Sequence, residues 1–345
     1  MILHASPLIT WTEKGLYCES GGFYIDPHRK VDLALITHAH SDHARRGSLK
    51  YICVNSGLEL LKARLGQKIS VKGFNYRETF ELGDVKVSFH SAGHILGSAQ
   101  VRIQRGHEVW VASGDYKRDR DPSCDPFESV PCDTFITEAT FGTPKFIWEK
   151  DLEHGRMIHE WWSENSSQGR NCILFGYSLG KAQRILAELA PFAHRPVLIH
   201  DTIHELTECY RREGRNLAQT KLLKDRLEDN DEIGGELILA PPSILTEKWI
   251  GRIGQYQTAF ASGWMQGSGG FGRSRYDKGF VMSDHADWND LNRTISETGA
   301  KRVYVQHRDG ALIRHLKLKG IDARPIEDLK PINHDVQSGQ NLRLI

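Results

Sequence analysis

At 345 residues and 39% apolar content, the chain is long enough for two domains with ordinary cores. Its 45 basic and 44 acidic residues leave a formal charge of +1, which excludes a global basic field for nucleic acid but not local charge in a groove. No run of 18 apolar residues occurs and Met1–Lys14 lacks a basic region followed by an apolar stretch, so neither a membrane span nor a secretory signal is expected.

Along the chain, Phe23-Tyr24-Ile25-Asp26-Pro27 reads as a strand ending in an aspartate. The apolar run Val31–Thr37 then empties into His38-Ala39-His40-Ser41-Asp42-His43. Packing gives no reason for a buried-type strand to end this way. In extended backbone, residues two apart face the same side, so His38 and His40 converge on one metal ion. The chain is expected to turn into a helix capped near Ser41 or Asp42, aiming Asp42 and His43 at a second point nearby. Nitrogen ligands beside a carboxylate suit zinc or manganese.

Ser56 to Leu65 is the clearest early helix; otherwise short strands dominate up to about Phe141. Val85–His90 reads as a strand leading into the glycine-flanked His94, and Val109–Tyr116 as another that ends at Asp115. Thr134–Gly142 carries Glu138. The character then changes to helix Leu152–Trp162, strand Asn171–Phe175, turn Gly176–Gly180, helix Lys181–Leu189, strand Pro196–His200 and helix Ile203–Arg212. That alternation predicts a small α/β domain with a parallel sheet. Gly267-Ser268-Gly269-Gly270-Phe271-Gly272 reads as a hinge, after which strand Gly279–Met282 leads into Ser283-Asp284-His285-Ala286-Asp287. A last apolar run, Val303-Tyr304-Val305-Gln306, ends in His307.

Two patterns are decoys. Gly176 to Lys181 has the wrong glycine spacing for a phosphate loop, and Ala182 stands where Ser or Thr is required. Gly267, Gly269 and Gly272 fit the dinucleotide spacing but follow no strand and open no helix. His90 reads as structural, and His200 and His204 lack a third ligand nearby. The six cysteines (Cys18, Cys53, Cys124, Cys132, Cys172, Cys209) include no C-x-x-C pair and read as reduced thiols in the cytoplasm.

The His-x-His-x-Asp-His spacing closely resembles that of the metallo-β-lactamase hydrolases. Asp26, His94 and Asp115 match further motifs of that superfamily in the correct order, each near a strand's C-terminal end. The resemblance extends to its β-CASP nucleases, with Glu138 at motif A, His285 at motif B and His307 at motif C. It implies an αββα metallo-β-lactamase sandwich, residues 1–145 and 274–345, with an inserted α/β β-CASP cap domain, residues 146–273. Within the family, Gly114–Arg118, Asp121–Cys124, Pro126–Glu128 and Glu138–Gly142 are similar to the bacterial ligase-associated DNA exonuclease group.

The resemblance implies two divalent metal ions, zinc first and manganese as the alternative. One takes His38, His40, His94 and a bridging Asp115; the other takes Asp42, His43, Asp115 and His307. Asp26 orients the metal loop, His285 is the general acid, and Glu138 holds its imidazole charged. The expected activity is two-metal phosphodiester hydrolysis, as a DNA exonuclease of DNA repair acting on a single-stranded end. An RNA nuclease of the messenger-RNA 3′-end processing or RNase J type is the alternative, because a histidine at motif C is commoner among the family's RNA enzymes. A metal-free scaffold subunit is disfavoured because all seven ligands are present. Arg45, Arg46, Lys117 and Lys181 are the candidate phosphate contacts. An ATP-dependent DNA ligase and a helicase are the implied functional associates, with no membrane partner.

Overall fold

The computed structural model describes residues 7–228, 233–246, 248–266, 275–306 and 310–330. Within them, two sheets face each other. The first has six strands in the order Thr10–Thr12, Gly15–Cys18, Phe23–Ile25, Leu33–Leu35, Lys50–Val54 and Val71–Phe74. The second has seven, in the order Asp322–Pro325, Arg302–Val305, Thr134–Thr137, Glu108–Ala112, Ala99–Arg105, Val85–Ser91 and Thr79–Leu82. Leu35, Ile52 and Val54 of one sheet and Val87, Val101, Ile103 and Trp110 of the other share one buried cluster, which is the sandwich interior.

Each sheet is covered on its outer face. Ala34, Tyr51 and Cys53 pack under Leu61 and Leu65 of the helix Leu58–Leu65. Val111, Phe135 and Val303 pack under helices Trp288–Thr298 and Ala311–Leu318 through Leu291, Ile295, Leu312 and Leu316. The layers therefore run helix, sheet, sheet, helix. Central strands buried on both faces read as continuous apolar runs, which explains why Thr134–Thr137 and Glu108–Ala112 lack alternation.

A third, all-parallel sheet occupies the chain between these halves, in the order Thr220–Leu222, Val197–Ile199, Leu237–Ala240, Asn171–Phe175, Tyr256–Ala261 and Lys278–Phe280. Helices His154–Ser167 and Lys181–Leu189 cover one face, and their cluster also takes in Ala39, Leu60, Ile95 and Leu96 from beside the metal motif. The third sheet is thus packed onto the loops that carry the histidines.

Several sequence expectations shift. No helix follows His43: His43 and Ala44 both donate to His40 O (3.2 and 2.8 Å), closing a single turn. Leu49 N then donates to Val31 O, drawing the chain back to the sheet before a second turn can form. The early helix is 3-10 over Asn55–Gly57 before its α-helical part, and the helix expected from Leu152 runs His154–Ser167. The strand expected at Gly279–Met282 runs Lys278–Phe280. The hinge Gly267–Gly272 lies outside the described residues. All six cysteines are free, and no helix among the described residues is long and apolar enough to cross a membrane.

Candidate metal centre and acid pair

The site begins with Asp26, placed beside Thr37 by the parallel pairing of Phe23–Ile25 with Leu33–Leu35. Its backbone takes φ +44, a left-handed conformation uncommon for a non-glycine residue. The carboxylate accepts from Thr37 N (2.8 Å), Thr37 Oγ1 (2.5 Å) and His43 Nδ1 (2.7 Å), so it fixes both ends of the histidine loop.

Each of the other three histidines is anchored through one ring nitrogen and turns the second inward. His38 Nδ1 lies 3.1 Å from Thr37 Oγ1, His40 Nε2 donates to Leu179 O (3.1 Å), and His94 Nδ1 donates to Asp284 O (2.7 Å). The carbonyl partners set the tautomer, because a carbonyl only accepts. The inward atoms of His40 and His94 are then bare lone pairs. His40 Nδ1 lies 3.1 Å from both His38 Nε2 and His94 Nε2, and Asp115 Oδ2 lies 3.6 Å from His38 and 3.8 Å from His94. All four donor atoms fall within 4.8 Å of one another.

This donor set fits a divalent cation. Tetrahedral nitrogens at the usual metal–nitrogen distance of about 2.1 Å stand about 3.4 Å apart, close to the separations found. Facing lone pairs in a buried site repel unless a cation lies between them. Burial, together with the neighbouring histidines, holds His38 and His94 well below the usual imidazole range, and burial also lowers His40, so all three are neutral and ready to ligate.

His43 behaves differently. Burial opposes its charge, but the Asp115 and Asp26 carboxylates hold it well above its ordinary value. Its Nε2 lies 3.4 Å from Asp115 Oδ2 and 3.7 Å from Asp42 Oδ2, so Asp42, His43 and Asp115 form one edge of a neighbouring site. His307 lies outside the described residues.

On the opposite side stands His285. Its Nδ1 lies 3.0 and 3.2 Å from the two Glu138 oxygens, and its ring is 4.7 Å from that of His94. Glu138 is buried and also accepts from Tyr116 N (2.7 Å), which leaves its carboxylate no other orientation. Burial disfavours the imidazolium, but Glu138, with Asp115 and Asp284 beyond it, raises His285 to about 9. The surrounding Ser-x-His-x-Asp residues shape this loop. Ser283 Oγ accepts from His285 N (3.1 Å), and Asp287 accepts from Trp148 N and caps the helix that begins at Trp288.

A cavity of about 520 Å³ opens over these groups, lined by His40, Asp42, His94, Asp115 and His285 on one side. No protein-family model matches the chain. It is 29% identical over 327 residues, 94% of its length and 32% of the relative's, to a probable DNA ligase of Opitutus terrae. It is 28% identical over 194 residues to the endoribonuclease YSH1 of Yarrowia lipolytica, covering 45% of this chain and 23% of that one. The chain is homologous over part of its length to β-CASP metallo-β-lactamase nucleases.

The chain spans a third or less of the length of those two relatives. Its fold is also that of an Enterococcus faecalis V583 protein of unknown function, with a TM-score of 0.57 and 14% identity over 81% of this chain and 76% of that one.

Two of the candidate phosphate contacts are corrected by their surroundings. Lys117 is 2% exposed, with Nζ 3.7 Å from Asp121, and does not line the cavity. Lys181 lines it, but its ammonium is committed internally, donating to Met282 O (2.5 Å) and Asp284 Oδ1 (2.7 Å). Arg45 and Arg46 are exposed on the turn after the metal loop. Arg46 donates to Arg64 O, and Arg45 lines a separate cavity of about 300 Å³. His90 is structural, bonded to Glu128 (3.0 Å) and Ser88 (3.1 Å), and His200 caps a helix. Sequence reasoning missed Arg64, Tyr177, Trp264 and Asp284 in the cavity wall. Only Asp284 carried a signal, as a neighbour of His285.

Proposed function

We propose that this chain is a divalent-metal-dependent nuclease that trims a free single-stranded DNA end. The observation that carries the reading is the pairing of His285, at the rim of the histidine–aspartate cluster, with the buried Glu138. A hydrolase of thioesters needs the ligands but not this acid, because a thiolate leaves without a proton. Phosphodiester cleavage needs both, because an alkoxide leaving group must be protonated.

His38, His40, His94 and Asp115 would hold one cation, and Asp42, His43, Asp115 and, by the family resemblance, His307 would hold the other, zinc first and manganese second by affinity order. When bound, the cations supply Lewis-acid polarisation of the phosphodiester and activation of water. Asp26 keeps His43 and the Thr37 backbone in place, a supporting role that tunes ligand orientation. Glu138 accepts from His285 Nδ1, so the proton on Nε2 is the one delivered to the leaving oxygen. Residues 146–273 act as the β-CASP cap, whose sheet the strand Lys278–Phe280 also joins, and the rest of residues 1–145 and 274–345 act as the core, with the nucleic-acid strand entering between them.

DNA is favoured by the Opitutus terrae relative, a probable DNA ligase that matches nearly the whole of this chain. The family resemblance implies a role in DNA repair in association with an ATP-dependent ligase and a helicase, and the relative's name agrees with the ligase alone. RNA is the second reading, supported by the Yarrowia relative named an endoribonuclease.

The deciding experiment incubates metal-defined protein with end-labelled single-stranded DNA and RNA of matched sequence. Stepwise shortening of the DNA is expected. Comparable cutting of circular single-stranded DNA would make the enzyme an endonuclease, and cleavage of RNA alone would establish the second reading.

A further inference from the structure

Of the large apolar side chains left exposed among the described residues, only Tyr177 (53% exposed) and Trp264 (42%) line the cavity over the metal cluster. Both are aromatic. They come from one place in the fold. Strands Asn171–Phe175 and Tyr256–Ala261 pair in parallel, with Phe175 opposite Phe260. Tyr177 lies two residues past Phe175 and Trp264 four past Phe260, so both leave the same end of adjacent strands, about 4.8 Å apart in such a sheet. The same end reaches the metal loop, since Leu179 O accepts from His40 Nε2.

The indole is held rigidly. Trp264 N donates to Ser262 Oγ, and its ring packs on Phe141 (4.7 Å) and edge-on to Phe146 (5.4 Å, 89°). Gly263 permits that approach, because a Cβ there would stand 2.8 Å from Phe141 Cζ. Tyr177 is braced less tightly, edge-on to Phe260 at 6.3 Å. A braced aromatic with one face in water offers a stacking surface at little ordering cost. From the core side, Arg64 lines the same cavity with its guanidinium anchored through Nε to Ala39 O (3.2 Å).

We propose that Tyr177 and Trp264 form a stacking platform for unpaired bases of the strand whose phosphate lies at the metal cluster, with Arg64 contacting that strand's backbone. The assignment rests on the nucleic-acid reading above and adds how the strand is recognised. Stacking needs an exposed base face, so the platform selects single strands over intact duplex. It tolerates any base, and it does not distinguish deoxyribose from ribose.

The test measures binding of metal-loaded protein to cleavage-resistant phosphorothioate oligonucleotides by fluorescence anisotropy. Base-bearing DNA, base-bearing RNA and an abasic DNA of equal phosphate number form the three arms. Tyr177→Ala and Trp264→Ala should each weaken both base-bearing strands about tenfold while leaving the abasic strand unchanged, and Trp264→Phe should restore most of the loss. Arg64→Met should weaken all three arms alike. Because both aromatics are half-exposed, circular dichroism should show the fold intact. If the variants bind base-bearing strands as tightly as the parent does, the platform is overturned while the nuclease reading stands. If the parent binds no oligonucleotide at all, both fall together.

Discussion

Lys181 Nζ lies 2.7 Å from Asp284 Oδ1, with both side chains buried, and the Asp284 main-chain carbonyl accepts from the metal-facing histidine His94. Arg184 completes the clamp, donating to Ser283 O (2.5 Å) and to Asp284 (3.2 Å). The first turn of the helix that begins at Lys181 thereby holds the peptide that orients His94.

Breaking this clamp should loosen the metal site. Removing one member of a buried ion pair costs about 3–5 kcal/mol, and disturbing a group that orients a ligand lowers metal affinity about 10–100-fold. Asp284→Asn and Lys181→Met should therefore weaken cobalt or zinc binding, read from the cobalt absorption spectrum and competition with a chelator. Arg215→Met breaks the Arg215–Asp125 pair (2.7 Å), which touches no metal-site residue, and should leave metal affinity unchanged. Equal metal affinity in all three variants and the parent would exclude the clamp.

His285→Ala should leave metal content and fold intact while lowering turnover by ~10²–10⁴, the usual worth of a positioned acid. Glu138→Gln should cause a smaller loss, because it weakens the imidazolium without removing it. A substrate with a much better leaving group should recover much of the His285→Ala deficit. Loss of metal in that variant, measured by elemental analysis, would mean that His285 is a ligand.

Asp115→Ala removes the carboxylate common to both proposed sites. It should abolish activity on every substrate, whatever the leaving group, and metal content should fall. Chelation of the parent protein should reproduce the inactivity, and activity should return on adding back zinc or manganese. Survival of activity after exhaustive chelation would remove the metal mechanism.

His154 provides a pH test away from the metal site. It is buried and bonded to Val281 O (2.9 Å), and burial with the nearby Arg184 charge lowers it to about 4 from an ordinary 6.5. Between those values the unfolded chain binds a proton that the folded chain refuses. Stability from this group is therefore complete above pH 6.5 and is lost as pH falls towards 4, by at most about 1.4 kcal/mol per pH unit. His154→Gln keeps an N–H donor without the titration. Urea unfolding at pH 7.5 and pH 5 should show a shallower acid loss in the variant, and identical slopes would refute the assignment.

What the sequence determined by itself is local. His38, His40, Asp42 and His43 fall within six residues after a strand, so their convergence needs little beyond strand and turn geometry. His94, Asp115 and Glu138 follow strands of one sheet, and an apolar run ending in a polar residue marks such a position without knowledge of the partner strand. The strand–helix alternation after residue 150 likewise announced a parallel sheet, because strands buried on both faces read as unbroken apolar runs. The fate of the basic residues was not legible. Lys117 and Lys181 look like phosphate contacts in sequence, yet Lys117 is buried and Lys181 is held by Asp284, 103 residues away. The missing helix after His43 has the same origin, since the bond from Leu49 N to Val31 O pulls the chain back to the sheet. Residue type and spacing set which groups can ligate or transfer a proton. Only the tertiary structure decides which charges stay in water, because burial and pairing depend on neighbours that lie far apart along the chain.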